Sequence, residues 1–150
     1  MSNNLLTMHG ITASIGVEKS ADAWQYAPLG EGIDNLAEAL NETVQQYFYL
    51  NNNGYATNHV TAMAPAYTVT GRRVRGDAAQ DYIFGLKYKM GAERVSNLKL
   101  EYTNAENKVV TITCDCTICN IQEFSGATTD DSAISFELRL DGEPKVETAA

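Results

Sequence analysis

The sequence predicts a mainly β, α+β fold: an antiparallel β-sandwich or partial barrel with one packed α-helix. Three observations carry this expectation. Late in the chain, three segments alternate apolar and polar residues. Leu98, Leu100 and Tyr102 alternate with Lys99, Glu101 and Thr103. Val110, Ile112, Cys114, Cys116 and Ile118 alternate with Thr111, Thr113, Asp115 and Thr117, and Ile134, Phe136, Leu138 and Leu140 with Ser135, Glu137, Arg139 and Asp141. A strand apolar on one side and polar on the other belongs to an antiparallel sheet with one wetted face. The period then changes between Tyr67 and Met90. Tyr67 and Val69 alternate with Thr68 and Thr70, whereas Ala79, Ile83, Leu86 and Met90 recur at helical spacing. Polar, turn-forming runs at 104–107, 125–132 and 141–142 separate the strands.

Residues 1–13 mix Asn, Thr, Gly and apolar singles without a period, which reads as an N-terminal arm or short edge strand. Residues 17–27 hold the single Trp, Trp24, close to Tyr26; the pair is a strand anchor or, alternatively, a ligand platform. Residues 28–32 form a turn. Ile33, Leu36, Leu40 and Val44 fit a helical stripe, and residues 43–50 read as strand up to the break at Asn51-Asn52-Asn53-Gly54. Residues 51–65 read as a loop. At about 15 residues it is longer than compact domains usually carry, so it is either an assembly loop or a plain surface loop. The strand from Tyr67 continues past Gly71 into Arg72-Arg73-Val74-Arg75 and stops at Gly76-Asp77. Asp77 is placed to cap a helix over 78–90, with Gln80 completing a capping box and Gly91 as the stop. Gly76, Asp77, Gln80 and Asp81 make up this helix-start motif. Gly85 inside it costs about 1 kcal/mol relative to Ala. Residues 143–150 read as a C-terminal tail, frayed beyond Val146.

At 150 residues and 44% hydrophobic content the chain suits a single domain, residues 1–150. No stretch approaches the roughly 20 apolar residues that span a bilayer, and Met1-Ser2-Asn3-Asn4 is unlike a signal peptide, so synthesis in the cytoplasm and no membrane partner are expected. The net charge of −8 argues against grip on a nucleic-acid backbone, which needs Lys and Arg to displace counterions.

No residue pattern provides a starting point for catalysis. Cys114, Cys116 and Cys119 with His9 or His59 would supply zinc ligands by type. Yet the strand period puts Cys114 and Cys116 in the apolar row and Cys119 on the other side, so packing is the favoured role. His9 and His59 lack a neighbouring nucleophile, and Asp130-Asp131 and Asp141-Gly142 read as turns rather than calcium loops. No cofactor is expected. The basic cluster Arg72, Arg73 and Arg75 is either a solvated strand end or a charged contact to a neighbouring copy.

The run Tyr-Thr-Val-Thr-Gly-Arg-Arg-Val-Arg-Gly-Asp-Ala-Ala-Gln-Asp-Tyr-Ile, 67–83, resembles the tail tube (major tail) proteins of long-tailed phages and prophages of Gram-positive bacteria. Asn41-Glu42-Thr43-Val44, Tyr49-Leu50, Gly54-Tyr55-Ala56 and Asp141-Gly142-Glu143-Pro144 follow the family's order, so the resemblance spans roughly 33–144. It favours an extended 33–44 over a helix. It implies a structural virion protein of the tail, not an enzyme. Such proteins form rings, typically hexameric, that stack head to tail into a tube through which double-stranded DNA passes without specific binding. Strands of neighbouring copies would join in one barrel around the lumen, with the helix outside, which removes exposed sheet edges. The implied partners are further copies of the chain, a tail initiator or tape measure protein, and a tail terminator. Arg72, Arg73, Arg75, Asn53, Gly54, Tyr55 and His59 are the candidate interface residues. The alternatives are a monomeric β-sandwich binding or decoration module and, within the class, the inner tube of a contractile tail or bacteriocin-like particle.

Overall fold

The computed structural model describes residues 5–149. Ten strands and one helix follow in order: β1 (Thr12–Ser20), β2 (Ala23–Pro28), β3 (Ile33–Ala39), β4 (Thr43–Phe48), β5 (Ala56–Ala62), β6 (Ala66–Arg72), α1 (Ala78–Gly85), β7 (Val95–Thr103), β8 (Val109–Gln122), β9 (Ala133–Leu140) and β10 (Lys145–Thr148). The fold is mainly antiparallel β, of the sandwich type with one helix, as the alternation predicts. The main sheet runs β2-β1-β7-β8-β9-β6-β3 without closing, and β10 pairs with the front half of β8. The hairpin β4–β5 forms a separate two-stranded sheet.

The register puts the predicted apolar rows together. Leu98 pairs with Cys114 and with Ile15, Leu100 with Ile112 and Ala13, Ile118 with Leu138, and Phe136 with Val69. These side chains, with Ala79, Ile83 and Phe84 from α1, make the core. Phe84 meets Phe136 edge-on, ring centres 6.3 Å apart, an arrangement that adds to the burial of both rings. Trp24 and Tyr26 are strand anchors on β2. The Trp24 ring lies so close over Gly16 that a Cβ there would sit 2.6 Å from it, and the Tyr26 hydroxyl donates to Asn97 Oδ1 at 2.6 Å. Cys114 and Cys116 are buried in the apolar row, Cys119 is half-buried, and burial pushes the Cys116 thiol well above its ordinary pKa.

Residues 33–39 are strand, the extended form that the resemblance favours over the helical stripe. Several expectations are corrected. Residues 51–65 are not a loop: 56–62 form β5, which returns antiparallel along β4. The strand from Ala66 stops at Arg72 instead of running to Arg75. The C-terminal residues 145–148 pair with β8 rather than fraying. Within residues 1–13, Thr12 already belongs to β1 and 8–10 form a 3-10 turn, while 1–4 lie outside the described residues, as does 150.

The helix α1 ends at Gly85, not Met90. Its continuation is replaced by side-chain chemistry: the Arg94 guanidinium donates to the carbonyls of Lys87 (2.8 Å), Lys89 (2.9 Å) and Ile118 (2.9 Å). Arg94 thus ties the segment after α1, at Lys87 and Lys89, to β8 at Ile118, and Met90 points to solvent.

Candidate functional site

Two features stand out against this framework: a latch that fixes α1, and an arm that has no cover. The latch is built on Gln80. Asp77 caps the helix as expected, accepting from the Gln80 backbone N–H at 3.1 Å. The capping box itself is absent, because the Gln80 side chain turns away from Asp77 and is fully buried. Its Oε1 accepts from the Val74 N–H at 2.8 Å, and its Nε2 donates to the carbonyls of Glu31 (2.8 Å) and Arg72 (3.0 Å). Gln80 therefore ties the helix start to the ends of two strands. Beside it, Gly32 and Gly71 cross with no room for a side chain: a Cβ on Gly71 would lie 2.1 Å from the Gly32 carbonyl oxygen.

Arg73 completes the latch. Its guanidinium bridges Asp81 (2.9 Å) and Glu123 (2.8 Å) and lies over the Phe84 ring at 4.9 Å. Glu123 also receives Lys87 at 2.6 Å, and these two donors hold its carboxyl below the usual carboxylate range. Arg73 is thus engaged inside its own subunit. Arg72 is exposed, donating only to the Asp131 carbonyl at 3.3 Å, and Arg75 is exposed as well. Glu123, Lys87 and Arg94 were missed in the sequence, since their partners lie tens of residues away and no local pattern announces them.

The arm is the β4–β5 hairpin, which brings together four of the candidate interface residues. Asn53 and Gly54 hold left-handed backbone at its tip (φ 53° and 85°), Tyr55 follows, and His59 lies on β5. Asn41, also left-handed, and Pro65 mark the root. There Ala64 N–H donates to the Leu40 carbonyl at 2.9 Å. Six strand residues at about 3.3 Å each carry the tip roughly 20 Å beyond the root.

Neither face of the arm is covered. One face pairs Val44 with Val60 and Phe48 with Ala56, with a Gln46–Asn58 amide bond of 3.3 Å between them. The other pairs Tyr47 with Thr57 and Gln45 with His59; the Tyr47 ring stacks on Tyr49 at 6.0 Å and tilts against His59 at 5.8 Å. Phe48 is 66% exposed, Tyr55 77% and Leu50 fully so. Monomeric soluble proteins rarely leave so much contiguous apolar surface open. The sequence also lacks the usual protection of an open edge: from Thr43 to Gly71 there is no Asp, Glu, Lys or Arg, whereas exposed strands are normally guarded by charge.

On the polar face of the main sheet three cations are matched on their own strands. Lys99 reaches Glu101 at 3.4 Å, Arg139 reaches Glu137 at 2.5 Å, and Lys145 reaches Glu147 at 2.8 Å. Among the described residues no group of His, Cys, Asp and Glu is arranged to hold a metal ion.

No family model and no curated protein matches the sequence. The fold, by contrast, recurs in solved structures. The SPP1 tail tube superposes with a TM-score of 0.70 at 16% identity, covering 97% of this chain and 80% of that one. The tail of an empty gene transfer agent particle gives 0.68 at 9% identity, over 95% and 99% of the two chains. The tube-terminating cap of the anti-feeding prophage gives 0.63 at 12% identity, over 99% and 95%. A sheath–tube complex of an extracellular contractile injection system is also similar. The fold is therefore one that this chain shares with tail tube and tube-terminator proteins of phages and contractile injection systems. At these identities the likeness is one of fold.

Proposed function

We propose that the chain is a structural subunit that polymerises with itself into a hollow tail tube, built of stacked rings, in a phage or prophage tail. The observation that carries this reading is the β4–β5 arm. It is a two-stranded ribbon with Val44, Phe48, Ala56 and Val60 on one face and Tyr47 with Gln45, Thr57 and His59 on the other, without Asp, Glu, Lys or Arg and uncovered among the described residues. Such a ribbon is marginally stable alone in water, so it calls for a second protein surface. The outer edges of β2 and β3, left open at the two ends of the sheet, supply further places where a neighbour can add strands. A head-to-tail contact between different patches need not close and so propagates as a filament.

The electrostatics suit a conduit for DNA. Six copies would carry 6 × −8 = −48 charges per ring, and Lys99, Arg139 and Lys145 on the polar sheet face are held in ion pairs, which weakens the grip on phosphate of a lumen lined by it. Arg72 and Arg75 remain candidate contacts to acidic patches of a neighbouring copy. A tape measure or initiator protein and a terminator complete the proposed set of partners. The inner tube of a contractile particle is a second reading, favoured by the contractile injection system neighbours.

Negative-stain microscopy of concentrated protein tests the proposal. Hollow tubes of uniform width are the expected outcome. A monomer that persists at every concentration would overturn it in favour of a solitary binding module.

A further inference from the structure

We infer that Asn53 is a site of spontaneous covalent modification in the free subunit: its side-chain amide is lost through a cyclic imide formed with Gly54, which leaves a mixture of aspartyl and isoaspartyl residues. This chemistry belongs to the single chain and does not depend on assembly.

The reaction has three requirements. The Asn amide carbonyl must be open to attack, the next backbone nitrogen must be unshielded and free to give up its proton, and the peptide plane between them must be able to turn until the two atoms meet. Among the described residues four asparagines hold left-handed backbone: Asn41, Asn53, Asn107 and Asn120. All four are exposed, so exposure does not separate them, but hydrogen bonding does. The Asn41 amide donates to the Ala64 carbonyl at 3.0 Å and the Asn120 amide to Glu137 at 3.2 Å. At Asn107 it is the next nitrogen that is held, since the Lys108 N–H donates to Asn104 Oδ1 at 3.0 Å.

Asn53 meets all three requirements. Neither its side-chain amide, nor its carbonyl, nor the Gly54 N–H has a partner among the described residues. The bond that closes the turn, from the Tyr55 N–H to the Asn52 carbonyl at 2.9 Å, spans the 53–54 peptide without using it. That peptide can therefore turn while the hairpin stays closed. Gly54 has no side chain to hide its nitrogen, and its backbone is the freest of any residue. A Cβ there would meet nothing within 4 Å, so water and base reach the reacting atoms. The adjacent Asn52 is pinned by its amide, which donates to Thr57 Oγ1 at 2.8 Å.

The Gly54 nitrogen, once its proton has passed to hydroxide, bonds to Asn53 Cγ. The Cγ–Nδ2 bond breaks, and its electron pair leaves with the nitrogen as ammonia, which takes a proton from water. Water then adds to one of the two carbonyls of the imide. Opening at Cγ restores the chain with aspartate at 53; opening at the backbone carbonyl leaves isoaspartate, in which the chain runs through Cβ and Cγ. Nothing is oxidised or reduced. Either product puts a carboxylate into residues 43–71, which otherwise hold no Asp, Glu, Lys or Arg, and the second also lengthens the backbone of a tight turn.

The test incubates dilute full-length monomer, warm, in mildly alkaline water enriched in heavy oxygen, and maps its peptides by mass spectrometry, with isoaspartate scored by enzymatic methyl labelling. The peptide holding residues 53 and 54 should gain a heavy-oxygen acid before any other, in both aspartyl and isoaspartyl forms, and the peptide holding Asn107 should lag behind it. Gly54→Asn, whose new side chain shields the nitrogen while tolerating left-handed backbone, should lose most of this signal. Asn53→Gly should lose all of it. Conversion at residue 53 no faster than at 107, or undiminished in Gly54→Asn, overturns the inference. An aspartyl product without the isoaspartyl form reports direct hydrolysis by water and overturns the cyclic route.

Discussion

Replacing Gln80 by Leu keeps the volume of the side chain and removes all its hydrogen bonds, which makes it a sharp probe of the latch. Gln80 is fully buried and holds the Val74 N–H and the carbonyls of Glu31 and Arg72 at 2.8, 2.8 and 3.0 Å. A buried polar group that loses its partner costs about 1–3 kcal/mol. Three such groups set an upper range near 9 kcal/mol, and rehydration of the Arg72 and Glu31 ends, which lie close to the surface, reduces it. We expect a loss of about 3–5 kcal/mol, which for a chain of this length corresponds to roughly 6–20 °C in Tm. Asp77→Ala, which removes one cap bond, should cost only about 1 kcal/mol, giving an internal scale. Urea unfolding of monomer followed by far-ultraviolet circular dichroism measures both. A Gln80→Leu loss no larger than that of Asp77→Ala would show that the three bonds contribute nothing beyond ordinary capping, and the account of how α1 is fixed would be wrong.

Gly71→Ala should destabilise the monomer by about 2 kcal/mol or more, because its Cβ would meet backbone rather than a movable side chain; an unchanged Tm would contradict the close crossing of Gly32 and Gly71. Glu123 is held below its ordinary pKa by Arg73 and Lys87. Its contribution is therefore complete above the unfolded-state value near 4.5 and lost as pH falls through the lower folded value. Glu123→Gln should flatten the acid limb of a stability–pH curve below about pH 5, and a curve parallel to wild type would refute this. Arg73→Glu should cost about 3 kcal/mol or more, since it removes a largely buried cation and leaves its carboxylates facing a third. Arg72→Glu and Arg75→Glu should leave the unfolding free energy within about 0.5 kcal/mol of wild type and thus isolate any effect on polymerisation. In hydrogen exchange, amides of 43–62 should exchange freely in monomer and slowly in tubes; equal protection in both states would deny the arm a role in assembly.

The body of the fold was legible because each of its strands has one wet face. Where alternation is strict, as in Val110 to Ile118 or Ile134 to Leu140, a period of two fixes both the strand and the side that is buried. Asp77 was legible as a cap because capping is a local bond over three residues. Gln80 was read for the wrong bond. The same spacing that allows a capping box also puts its amide beside the backbone of residues 31 and 72–74, and only the fold decides which partners are near. The end of α1 was misplaced for a similar reason. The period of Ile83, Leu86 and Met90 runs on, while Arg94, from beyond the turn, bonds the Lys87 and Lys89 carbonyls and holds that segment in a non-helical path.

The first strand of the arm was read as strand, as the alternation of Val44 and Phe48 against Tyr47 allows, whereas its second strand, within 51–65, was misread as a loop for a more instructive reason. A strand shows alternation when one side meets its own core and the other meets water. In β5, Ala56, Val60 and Ala62 share one side with Asn58, and Thr57, His59 and Thr61 take the other, so small apolar residues and an amide leave only a faint period. The absence of Asp, Glu, Lys and Arg between Glu42 and Arg72 is what a ribbon needs if each of its faces is to lie against another protein surface. Water on either face would be better tolerated by Lys or Glu, and a fixed position in the subunit's own core would have imposed one apolar side. Under the proposed assembly, sequence rules built on a single chain in solvent fail on this stretch because its folding environment would include a second chain.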